Sequence, residues 1–126
     1  MGLDMYLSGH VYQGYKSEMK LEGHPVRSLE LELGCWRKHP NLHGYIVNEF
    51  ADGKDECQKI ELDHIALRKI ALAIERDELP HTDGFFFGDS EFHDKARCTN
   101  VNIFREAADW IEPKDWKYSV YYQASW

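Results

Sequence analysis

Leu29, Leu31, Leu33 and Cys35 alternate with Ser28, Glu30, Glu32 and Gly34. A period of two sends alternate side chains to opposite faces of a pleated backbone, so this stretch predicts a half-buried strand over 29–36. Trp36, Arg37 and Lys38 close it. Pro40 then suits the first position of a helix, where its missing N–H costs nothing. Leu42, Tyr45, Ile46 and Phe50 fall at helical spacing and predict an apolar stripe on a helix over 40–51, stopped by Asp52-Gly53. Asp63 is placed to cap a second helix over 65–76, whose buried face is Ile65, Leu67, Ile70, Ala71 and Ile74. Leu79-Pro80 ends it. A third helix is expected over 100–111, with Val101, Phe104, Ala108 and Ile111 on one side and Pro113 beyond.

The remaining strands are shorter or less regular. Residues 4–12 read as a strand carrying Met5, Leu7 and Val11, broken at Ser8-Gly9. Residues 13–25 read as a glycine-punctuated connection with an edge strand in it. A short strand is expected over 57–62 and a last one over 116–123. The run Phe85-Phe86-Phe87 between Gly84 and Gly88 suits a buried strand or tight segment. Strands and helices mix without a regular βαβ rhythm, which predicts an α+β fold: a small antiparallel sheet with about three helices, as one domain over 1–126.

A chain of 126 residues with 43% hydrophobic content can bury a core, and disorder is excluded on composition. The net charge of −7 excludes general binding to nucleic-acid backbone and leaves a basic protein partner open. Cys35, Cys57 and Cys98 form no CxxC pair, so neither a disulfide framework nor a zinc ribbon is indicated, and a reducing compartment follows. No apolar run reaches the roughly 20 residues of a membrane span. The opening MGLDMYL lacks the basic and apolar regions of a signal peptide. The expectation is a cytoplasmic protein with no membrane partner.

Six stretches, in order, carry a family resemblance: MGLDMYL at 1–7, GCWRK at 34–38 followed by His43, DGKDEC at 52–57, LP at 79–80, GFFFG at 84–88 and YYQASW at 121–126. With these the chain resembles a family of small uncharacterised proteins of bacteriophages and prophages. Relatives more often show Tyr in place of Cys35 and Ser in place of Ala124, and a longer segment before the WRK strand. The resemblance implies an early or accessory phage protein, with action against host defence as one role. It implies no settled chemistry.

The candidate chemistry gathers where the 29–36 strand meets its helix. Arg37 offers a planar fork for phosphate or carboxylate, Lys38 a point charge, and His43 lies on the first helical turn, whose N–H groups favour anions. The competing reading makes Arg37 and Lys38 surface strand residues, one paired with a carboxylate. Trp36, Tyr122 and Trp126 add flat faces for a nucleobase or sugar, and Gln123 adds a polar group. Phe85 to Phe87 read as core, because neighbouring strand residues point to opposite faces. Asp4 and Tyr6 share a strand face. Asp4 is read as fixing Arg37 or Lys38 in a salt bridge, with a general base as its other use.

The expected ligand-binding set is therefore Asp4, Tyr6, Trp36, Arg37, Lys38, His43, Gln123 and Trp126. Its ligand is a small anionic or nucleotide-like molecule. Two further functions stay open: an acidic inhibitor of a host or anti-phage defence protein, and a phosphate-directed hydrolase with His43 and Asp4 as acid and base. Asp52, Asp55 and Glu56 lack calcium-loop spacing and read as a solvated helix-end turn. His39 and His43 stand four apart with Pro40 between and no third ligand, so no metal and no cofactor is assigned. No phosphate loop or GxSxG nucleophile motif occurs.

Overall fold

Met5 and Leu7 are wholly buried while Tyr6 between them is exposed, so the first strand has one face on the core and one on solvent. The computed structural model describes residues 2–82 and 96–126. In chain order these form β1 (Asp4–Tyr12), β2 (Lys20–Leu21), β3 (His24–Pro25), β4 (Ser28–Arg37), α1 (Pro40–Phe50), β5 (Ile60–Glu61), α2 (His64–Glu75), α3 (Arg97–Ile111) and β6 (Tyr118–Ser125). The main sheet is antiparallel with order β4-β1-β6-β5, and β2 and β3 make a separate small hairpin within the 13–25 connection. This is a small α+β fold with three helices among the described residues. The GFFFG run lies outside them.

The three helices supply side chains to one core, which lies on a single face of the sheet. Leu42 and Ile46 of α1, Leu67 and Ile70 of α2, and Phe104 of α3 pack with Met5, Leu7, Val120 and Tyr122. Burying each such aliphatic side chain contributes about 1.5–3 kcal/mol. Asp63 caps α2 as its position suggests: its Oδ1 accepts from the Ala66 N–H at 2.7 Å. That helix ends at Glu75, before Leu79-Pro80, and Asp77 turns the chain with a left-handed φ of 55°. No helix among the described residues is long and apolar enough to cross a membrane.

β4 departs from simple alternation. Leu7 pairs with Gly34 but Ser8 pairs with Glu32, so Leu33 is an extra residue on β4. A β-bulge of this kind resets the period of two. Beyond it Gly34 and Trp36 turn to the core and Cys35 turns out to solvent, correcting the expectation that Cys35 continues the face of Leu29, Leu31 and Leu33. The Trp36 ring lies parallel to Phe104 at a centroid distance of 5.2 Å, and its indole N–H donates to Oδ1 of buried Asn100 at 2.9 Å. β1 itself is continuous through Ser8-Gly9.

Gly34 leaves the room that this packing needs. A Cβ there would stand 2.8 Å from Ile103 Cγ2 and 2.8 Å from Trp36 Cη2. Gly34→Ala is expected to destabilise the fold by about 1–3 kcal/mol through overpacking, read as a lowered denaturation midpoint. An unchanged midpoint would contradict this account of the bulge.

Candidate functional site

His43 faces inward from the first turns of α1, beside Leu42 and Ile46, and is 2% exposed. An imidazole in such a place needs partners for both nitrogens. Its Nδ1 stands 2.6 Å from Tyr122 Oη and its Nε2 stands 2.9 Å from Asp55 Oδ2. A carboxylate only accepts, so Nε2 carries a proton; in the neutral imidazole Nδ1 then accepts from the Tyr122 hydroxyl. The other Asp55 oxygen accepts from the Trp126 indole N–H at 3.2 Å. Four residues from α1, the 52–57 loop, β6 and the last position thus form one hydrogen-bonded chain.

The loop that brings Asp55 here is backbone-constrained. Asp52, Gly53 and Cys57 all have left-handed φ, at 54°, 76° and 57°. Glycine adopts this freely, whereas a residue such as cysteine does so at a cost of roughly 1–2 kcal/mol. Gln58 offsets part of that cost by accepting from the Glu56 N–H at 2.8 Å and donating to the Lys54 carbonyl at 2.7 Å. Gln123 donates to the Cys57 carbonyl at 2.9 Å, tying the same loop to β6.

The eight expected residues do not converge on one place, although Trp126 reaches the His43 group through Asp55. Trp36 is core. His43 lies under the inner face, joined to Tyr122 and Asp55. Asp4, Tyr6, Arg37 and Gln123 belong to the outer face, where Asp4 lies between Arg37 on β4 and Ser125 on β6 in the ladder. Arg37 approaches Asp4 at 3.5 Å, the strand-end salt bridge that the sequence allows. Both side chains are well exposed, at 72% and 43%, so the pair contributes about 1 kcal/mol at most. Lys38 is exposed in a left-handed turn, φ 57°, with its N–H on the Leu3 carbonyl at 2.7 Å. Two strand spacings, roughly 10 Å, separate the backbones of Arg37 and Ser125.

His43 and Asp4, the acid and base of the hydrolase reading, stand on opposite faces of the sheet. The first turn of α1, where an anion was expected, is covered in part: Asn41 Oδ1 accepts from the Thr82 N–H at 3.0 Å. A Cβ on Gly44 would collide with the Thr82 side chain, so Thr82 lies directly against this helix. A hollow of about 360 Å³ on the outer face is lined by Tyr6 and Gln123 together with Ser8, Glu30, Leu31 and Glu32. Another, of about 730 Å³, lies between the start of α2, β6 and the end of α3, and none of the eight residues lines it. Lys69, Lys114 and His64 line it together with the carboxylates Glu61, Asp63 and Glu112.

Asp55–His43–Tyr122 has the carboxylate–imidazole–hydroxyl order of a nucleophilic triad. Its hydroxyl end, however, is wholly buried. Burial, and then the nearby Asp55 charge, push the Tyr122 phenol well above its ordinary value of 10.0. It stays a neutral donor. Among the described residues no buried side-chain nitrogen or oxygen lacks a hydrogen-bond partner, and no three His, Cys, Asp or Glu side chains group to hold a metal. The sequence reads Asp55 as part of a solvated helix-end turn and Tyr122 as an aromatic face toward a ligand; the structure instead joins both to His43. The parity of Tyr122 with buried Val120 and Ala124 would have turned it inward; nothing local foretells the partner of Asp55. The chain matches no protein-family model, no curated protein and no solved structure.

The raised Tyr122 value has a definite sign. Unfolded, the phenol ionises near 10; folded, it keeps its proton, so stability is intact below pH 10 and falls as pH rises further. The expected slope from this group is about 1.4 kcal/mol per pH unit. Tyr122→Phe removes the hydroxyl that His43 Nδ1 bonds and is expected to cost about 1–3 kcal/mol at neutral pH while flattening that alkaline slope. Denaturant titrations at pH 7 to 11.5 measure both. A variant as stable as the parent, or with the same alkaline slope, would contradict the assigned hydrogen bond.

Proposed function

We propose that this chain works by binding another protein, one with a basic surface, and that it performs no chemistry of its own. One observation carries the reading: the triad-like group among the described residues, Asp55, His43 and Tyr122, is spent on itself. Both His43 nitrogens and both Asp55 oxygens are engaged, and the hydroxyl they lead to is enclosed. What the molecule presents outward is a sheet face and a long edge strand on an acidic chain of net charge −7. Charge of one sign steers a partner of the other and suppresses wrong encounters. The resemblance to phage and prophage proteins extends the proposal to a target in the host, a defence protein among them.

A small anionic ligand is the second reading, favoured by one observation. Arg37 and Lys38 are exposed at the same end of the sheet as the Trp126 indole, which is 40% exposed. In that form the ligand contacts are Arg37, Lys38 and Trp126, without Trp36 or His43. Asp4 beside Arg37 works against it.

Native mass spectrometry of the protein recovered from phage-infected bacterial cells separates the two. The expected result is a stoichiometric complex with a second polypeptide. Recovery of the chain alone, or with a small phosphorylated molecule that Arg37→Ala removes, would contradict the protein-binding proposal.

A further inference from the structure

Resting on the reading that the chain binds a protein, we infer where and what kind of segment docks: the free edge of β4 over 28–32 takes an extended segment in which basic side chains alternate with apolar ones. β4 is the terminal strand of the sheet and pairs only with β1 among the described residues. An edge of this length offers unpaired N–H and C=O groups, the template on which peptides add as a further strand. The bulge at Leu33 ends the regular edge, which confines addition to the five residues before it.

The side chains along that edge choose the occupant. Glu30 and Glu32 project from the outer face two residues apart, both exposed. Their neighbours across the ladder are His10 and Ser8, and neither glutamate makes an ion pair among the described residues. On the helix layer, by contrast, carboxylates are met by cations: Arg68 reaches Asp109 at 3.0 Å and Glu112 at 2.8 Å, and Lys69 reaches Glu49 at 2.8 Å. An added strand places its alternate residues opposite Glu30 and Glu32, where Lys or Arg supplies the missing charge. The intervening residues fall opposite Leu29 and Leu31, the latter 40% exposed, where apolar side chains gain contact. A second copy of this chain added antiparallel would set glutamates against glutamates. The same row that admits a basic segment therefore rejects self-pairing.

The test uses the whole chain, labelled with 15N, and a short blocked peptide alternating Lys with Val. The expected result is amide shifts and slowed hydrogen exchange concentrated at 28–32, weakened by salt. The double variant E30K/E32K, altered only at exposed positions, is expected to lose about tenfold or more in affinity and to accept the Glu–Val counterpart instead. Shifts centred elsewhere, no binding, or equal binding by E30K/E32K would overturn the inference. If E30K/E32K still carries its cellular protein partner, this edge is wrong and the protein-binding reading stands. If the parent chain carries no protein partner, that reading itself fails.

Discussion

A histidine inside an apolar core persists only when each ring nitrogen finds a partner, because an unpaired polar group there costs several times what a typical hydrogen bond contributes. In this protein that requirement joins parts of the chain that are far apart in sequence. His43 faces inward because α1 buries that side; it needs Tyr122 on β6 and Asp55 from the loop after α1. Asp55 in turn engages the last residue of the chain. The loop accepts left-handed backbone at Cys57, and β6 answers with Gln123 on the Cys57 carbonyl. One satisfied imidazole thus ties the 52–57 loop to the C-terminal strand, which its ladder with β1 holds in the sheet.

The same constraint directs the functional argument outward. A carboxylate–imidazole–hydroxyl chain invites a catalytic reading, but a reacting group must meet its substrate. Here the hydroxyl is the innermost member and a raised phenol value keeps it protonated. The polar chain is an internal brace. Among the described residues the outer sheet face presents Tyr6, Gln123 and the exposed glutamates of β4.

Much of the fold is legible in the residues because it rests on local rules. Pro40 at the start of α1, Asp63 as a cap and the apolar faces of α2 and α3 each depend on neighbours within about four positions. The phase of β4 is different. Its leucines announce a strand, but one extra residue in the ladder decides which side Trp36 and Cys35 take, and a bulge is a property of the pairing. Trp36 attracted a binding role through its neighbours Arg37 and Lys38, yet the reset alternation sends its ring to Phe104 and its N–H to Asn100. His43 was legible only by its place on the first turn of α1, where it reads as an anion contact rather than a buried brace. The identity of its partners, 12 and 79 positions away, was not.

Tyr122 and Asp55 act together through one shared imidazole. A double-mutant cycle tests this coupling most directly, comparing the stabilities of Tyr122→Phe, Asp55→Ala and the double variant with the parent. The second loss is expected to be smaller once the first is made, with a coupling of about 1 kcal/mol or more. Losses that add to within about 0.5 kcal/mol would contradict it, since independent sites behave in that way.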